Sequence, residues 1–176
     1  MPQTTKVRMT IRGLMIDPTS NSPIVVLRVQ ERDVFLPIWI GVAEASAIQM
    51  TLEGMTPPRP MTHDLLAEAF AALQAEVESV VIRDLEENVF FASLHVRHGD
   101  SLVEIDARPS DALALALRVD AEVFVEQHVL DKAQAVDVSA MQSPGSEGGD
   151  QEGGEEDRLK RWFEGLSPED LGKYTM

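Results

Sequence analysis

Two stretches of this chain carry residues able to do chemistry. Arg59-Pro60-Met61-Thr62-His63-Asp64 and Asp106-Ala107-Arg108-Pro109-Ser110-Asp111 each set an arginine before a proline and a small hydroxyl residue, then an aspartate just before an apolar helical run. Proline lacks the N–H that the first turn of a helix leaves orphaned, and the oxygens of Ser, Thr and Asp accept from the orphans that remain. The arginines are the anomaly. A cation at a helix start faces the positive end of the macrodipole, so each is expected to sit against a local carboxylate or a bound anion.

His63 and Asp64 beside Arg59 could supply a general base, a carboxylate and a phosphate clamp. Histidine titrates near neutral pH, and the planar fork of arginine matches two phosphate oxygens. The plainer reading is a helix opening with Asp64 matched to the dipole and His63 partly exposed, and the local pattern alone favours it. In the second stretch Asp106 ends a strand and Asp111 opens a helix, so two carboxylates can approach across one sharp turn, as oxygen-ligand metals such as Mg2+ accept. Glu44, at the start of an earlier helix, would be a third ligand if the fold brings it near. An Asp–Arg ion pair fixing the corner explains the same residues. His95, His98, Trp39 and the scattered methionines read as surface or core positions. No Walker loop, Gly-x-Gly-x-x-Gly fingerprint, His-Glu-x-x-His helix or nucleophile elbow is present.

Elements that would position these residues follow from periodicity. Val7, Met9 and Ile11 alternate with polar residues, and Ile24–Val29 is joined by a short polar turn to Val34–Ile40, giving a strand and then a hairpin. Pro37 cannot donate to a ladder and points to an edge or a bulge. Helical spacing marks Glu44–Met55 and Thr62–Ala75, separated by a stiff Pro57-Pro58-Arg59-Pro60 connection. Val77–Leu85, Val89–Val96 and Leu102–Ala107 read as three strands, Ser110–Val119 as a buried helix, Val123–Val125 as a short strand and Glu126–Ala133 as a last helix. The expected class is α+β, with a mixed, largely antiparallel sheet and packed helices. The recurrence of the Arg-Pro motif raises an internal duplication as a possibility.

Composition limits the partners. The 176 residues have a net charge of −15 and no cysteine, so disulfides and thiolate sites are excluded. Residues 1–138 hold 21 acids and 11 bases, so the acidity is not confined to the tail. Such a surface disfavours non-specific binding of nucleic acid, and any polyanion must meet a local patch or a metal. No apolar run is long enough to cross a bilayer and no signal-peptide pattern opens the chain, from which a cytoplasmic protein without membrane contact is expected. One domain is expected over residues 1–138. An acidic, Gly/Ser-rich linker follows over 139–157, and a short helical tail over 158–176 carries Trp162, Phe163 and Leu166 as an apolar face for a protein partner or for the parent domain.

The chain resembles the bifunctional nuclease domain family. The resemblance rests on Leu36-Pro37-Ile38-Trp39-Ile40-Gly41 with Glu44-Ala45, on Pro58-Arg59-Pro60-Met61-Thr62-His63-Asp64-Leu65-Leu66, and on Ile105-Asp106-Ala107-Arg108-Pro109-Ser110-Asp111-Ala112-Leu113-Ala114-Leu115-Ala116. It covers roughly Lys6 to Ala133. Two departures are Leu73-Gln74, where Leu-Gly is expected, and Glu122-Val123, where Pro-Ile is expected. The resemblance implies an α+β domain that assembles as a homo-oligomer and cleaves DNA and RNA. Chemistry then suggests Glu44, Asp106 and Asp111 as ligands of Mg2+ or Mn2+, Arg59 and Arg108 as phosphate braces, and His63 with Asp64 in proton relay. The competing expectation is a non-catalytic module that binds an anion or a protein partner.

Overall fold

The structure, a computed structural model, describes residues 5–133 and 136–137. The linker and helical tail expected over 139–157 and 158–176 lie outside the described residues. In chain order the elements are β1 (Lys6–Ile16), β2 (Pro23–Val29), β3 (Val34–Trp39), α1 (Val42–Leu52), α2 (Thr62–Ala72), β4 (Ala75–Glu86), β5 (Val89–His98), β6 (Ser101–Ala107), α3 (Pro109–Val119), β7 (Glu122–Glu126), α4 (Gln127–Lys132) and the two-residue β8 (Val136–Asp137). They form one mixed sheet in the order β6-β5-β4-β7-β1-β2-β3-β8. Every pairing is antiparallel except β4 with β7. The α+β reading is therefore correct. Each half runs as a three-stranded meander followed by a helix, β1-β2-β3-α1 and β4-β5-β6-α3. The Arg-Pro openings start α2 and α3, which hold different places in that plan.

Alternation decides which strand residues join the core beneath the helices. Met9 of β1, Val25 and Leu27 of β2, Leu36 and Ile38 of β3, Val80 and Ile82 of β4, Leu94 and Val96 of β5, and Val123 and Val125 of β7 join one core with α1 and α3. The register of β1 against β2 shifts between Ile11 and Gly13, and Gly13, at φ 154°, takes up the bulge. Pro37 lies beyond the two β3 residues that β8 pairs, on a stretch whose outer edge no described strand covers, where a missing N–H is tolerated.

Helix α3 is the centre of the helical layer. Pro109, Ser110 and Ala112–Ala116 are all buried, and its alanines let α1 approach through Ala45, Ala47 and Ile48. Helix α2 has no buried residue and leans on the core through Ala67 and Phe70. It ends at Leu73, and Gln74 follows at φ 56°, in the left-handed region that favours the glycine expected there. Replacing Gln74 with Gly is expected to stabilise the domain by about 1 kcal/mol, read as a higher urea midpoint with an unchanged slope. The other departure has a use, since Glu122 pairs with Arg8 across β7 and β1 at 2.7 Å.

A charged clasp ties α4 to the sheet. Lys132 and His128 reach Asp84 Oδ1 at 2.9 and 3.2 Å, and the Leu85 N–H donates to the same oxygen. The Lys132 bond, helped by the Leu85 amide and His128, holds the Asp84 carboxyl at about 2 against an ordinary 3.8. A depressed folded value means that this stabilisation is complete above about pH 4 and is lost as pH falls through about 2. With the side chain 30% exposed, screening leaves roughly 1 kcal/mol. Asp84→Asn should lower stability at pH 7 by that amount, by less near pH 2 and not at all near pH 1, as measured by urea titration at each pH.

Candidate active site

Three helices begin with an acid as their third residue: Glu44 in α1, Asp64 in α2 and Asp111 in α3. An acid there accepts from orphaned N–H groups and opposes the positive end of the dipole. The three starts differ in what else they do with that charge. At α2 the plain helix-opening role is met, because Asp64 Oδ2 accepts the Met61 N–H at 2.8 Å. At α1 and α3 the carboxylates turn to Arg108.

Arg108, the residue preceding α3, has an extended backbone and a half-exposed side chain. Its Nε donates to Asp111 Oδ2 at 2.7 Å, and its Nη1 lies 3.1 Å from Glu44 Oε1. The other oxygen of Asp111, Oδ1, is 3.0 Å from His63 Nε2. Glu44, His63, Arg108 and Asp111 thus form one cluster where the starts of α1, α2 and α3 meet. Burial pushes the Asp111 carboxyl up, but the bonds from Arg108 and His63 outweigh it and the net shift is down. Arg108 is held above its ordinary value by Asp111. An ionised Asp111 can only accept, so the proton of this bond sits on His63 Nε2, and in the neutral ring Nδ1 is then the acceptor nitrogen. Gly41, which precedes α1, makes room for this arrangement: a β-carbon there would collide with the Glu44 carboxylate.

Asp64 belongs to a different group. Its Oδ1 accepts from Nε of Arg118, whose Nη1 and Nη2 donate to the carbonyls of Ala114 at 2.8 Å and Ala47 at 3.1 Å. Arg118 joins α2, α3 and α1 with only 9% of its side chain exposed. Its hydrogen bond, together with the Met61 amide, holds the Asp64 carboxyl below the usual range. Asp64 is a structural anchor beside His63 and lies outside the cluster. Sequence reasoning passed over Arg118, although a single cation in Ala112–Val119 was the available signal.

Asp106 is a correction. Ile105 pairs with Leu94, a core residue, so alternation sends Asp106 to the opposite face of the sheet, beside Ser93. There it pairs with Arg83 at 2.7 Å and is three-quarters exposed. The expected metal centre of Glu44, Asp106 and Asp111 is not assembled. Both oxygens of Asp111 and one of Glu44 are engaged by His63 and Arg108, so the residues as placed do not fit a Mg2+ or Mn2+ ion. Among the described residues no group of three or more His, Asp or Glu side chains is placed to hold a metal.

Arg59 also stands apart from Arg108. It is exposed, has no ion-pair partner among the described residues, and lines a cleft of about 400 Å3 together with Asp64, Glu68 and Arg118. The two arginines singled out by the sequence therefore serve neighbouring places: one beside His63 and one on the far side of Asp64.

Two uncharacterized proteins of Mycobacterium tuberculosis, from strains CDC 1551 and H37Rv, are each 37% identical to this chain over 161 residues, which is 90% of the chain and 94% of the relative. A match of that length runs beyond β8 into the C-terminal segment. No described helix is long and apolar enough to cross a membrane. The bifunctional nuclease domain matches residues 25–137, a span that runs from within β2 to the end of β8 and takes in every member of the Glu44–His63–Arg108–Asp111 cluster. The chain belongs to the bifunctional nuclease domain family.

Proposed function

We propose that the protein is a nuclease that hydrolyses phosphodiester bonds in DNA and RNA, with His63 as general base. The observation that carries this reading is the His63–Asp111–Arg108 chain of contacts. Asp111 fixes the ring tautomer, and Nδ1 accepts a proton from the attacking water. The Nη2 group of Arg108 has no partner among the described residues and is available to a phosphate oxygen. Water attacks phosphorus, the phosphorus–oxygen bond to the leaving nucleoside breaks, and that oxygen takes up a proton from solvent.

Charge is the main objection and can be weighed. Glu44 and Asp111 against Arg108 leave the cluster one negative charge with His63 neutral. Three helix starts, each equivalent to about half a positive charge, offset it. The full domain remains acidic, so binding should be local and salt-sensitive rather than an effect of the whole surface. A divalent ion would have to take Glu44 and Asp111 from Arg108, and the geometry supports the arrangement without it. Single-stranded DNA and RNA should be cleaved in EDTA as well as with Mg2+ or Mn2+ added. Strict dependence on the added ion would overturn the metal-free arrangement, and inactivity under every condition would overturn the enzyme.

A second copy of the chain is the proposed protein partner. Strand β6 is an edge among the described strands, and Leu102, Val103 and Ile105 are all exposed on it. The competing function, an anion-binding or protein-interaction module, draws on the same acidic surface, which disfavours a polyanionic substrate.

A further inference from the structure

The cleft that holds Arg59 is not used by the chemistry above, and its lining selects a ligand. Met50, Met55 and Leu117 give it apolar walls, and Arg59 and Glu68 stand among them. Asp64 is already neutralised by Arg118, so the charges left for a ligand are one cation, Arg59, and one acceptor, Glu68. The wall from Pro57 to Pro60 is stiff, since each residue before a proline is restricted, and such a cleft pays little ordering cost on binding. A volume of about 400 Å3 suits one small ligand. The matching molecule has a flat ring for the thioether and leucine walls, an anionic group for Arg59 and an N–H donor edge for Glu68.

We propose that this cleft seats one unpaired nucleotide, its phosphate on Arg59 and the exocyclic amino group of its base on Glu68. Set against the 4-position of a pyrimidine, a carboxylate accepts from the amino group of cytosine and is opposed there by the carbonyl oxygen of uracil or thymine, whose one N–H lies at the neighbouring ring position, so amino-bearing bases are selected. A base still stacked and paired in a duplex cannot place its ring between these walls, so the strand must be single at this point. The cleft and His63 share the first turn of α2 through Asp64, which places the seated nucleotide next to the scissile bond. Only that last step rests on the nuclease reading; binding of the nucleotide does not.

The test uses the full chain with isotope-labelled methionine methyl groups, titrated with CMP, with UMP and with inorganic phosphate. CMP is expected to shift the signals of Met50 and Met55 and to bind at least fivefold more tightly than UMP, and phosphate alone should leave both signals in place. Arg59→Ala should weaken both nucleotides at least tenfold, and Glu68→Gln should erase the preference for CMP. Unmoved methyl signals, equal binding of CMP and UMP, or indifference to Arg59→Ala each overturn the proposal. Strand cleavage without these shifts would remove the subsite and leave the nuclease standing. The shifts in a protein that never cleaves would do the opposite.

Discussion

His63→Ala is expected to reduce cleavage of single-stranded DNA and RNA by 10²- to 10⁴-fold, the range lost when a positioned general base is removed. The fold should survive. His63 contributes one hydrogen bond to Asp111, whose other oxygen stays on Arg108, so the stability cost is about 1 kcal/mol. Asp111→Asn should also slow cleavage, because an amide can donate to His63 Nε2 and so favour the wrong tautomer. Asp106→Ala, on the opposite face of the sheet, should leave the rate within a factor of two. The decisive comparison is single-turnover cleavage by purified variants with matched circular dichroism. Full activity in His63→Ala would end the catalytic assignment, and loss of activity in Asp106→Ala would return that carboxylate to the chemistry.

Arg118→Met should lower stability by roughly 3 kcal/mol, as much as many changes in the apolar core. The substitution keeps much of the side-chain volume but strands the Asp64 carboxylate and removes the donor from the Ala47 carbonyl. Because α2 buries none of its residues, only the His63–Asp111 bond and the partial packing of Ala67 and Phe70 stand beside Arg118 in holding it. Adding Asp64→Leu to Arg118→Met should recover part of the loss, since the stranded charge is then gone. Urea unfolding of both variants measures this. A loss below 1 kcal/mol in Arg118→Met would mean that α2 is held by other contacts.

The strands and α3 were legible because each has one dominant period or one continuous apolar run. Val7, Met9 and Ile11 alternate as they should, and the run Ala112–Leu117 is apolar because it is buried against the sheet and both neighbouring helices. The site was legible in its residue types and only partly in its grouping. Asp106 and Asp111 are close in sequence, which suggested a shared site, but a strand of period two had already assigned Asp106 to the other face once Ile105 was paired beside Leu94. His63 and Asp111 meet across 48 residues, a contact that no local pattern encodes. The arginine anomaly was half informative. Arg108 does sit against two carboxylates, whereas Arg59 has none among the described residues.

Among the described strands, β7 is the only link between the two meanders within the sheet, pairing with β4 on one side and β1 on the other. It pairs Lys6 with Glu126, at opposite ends of the domain. A chain leaving the ribosome can complete either meander from local contacts, but the sheet stays in two pieces until β7 has emerged. The cluster depends on the same late event, since Glu44 is carried by the first piece and Arg108 and Asp111 by the second. Synthesis thus reaches the far end of the domain before the chemistry of its first half has a partner.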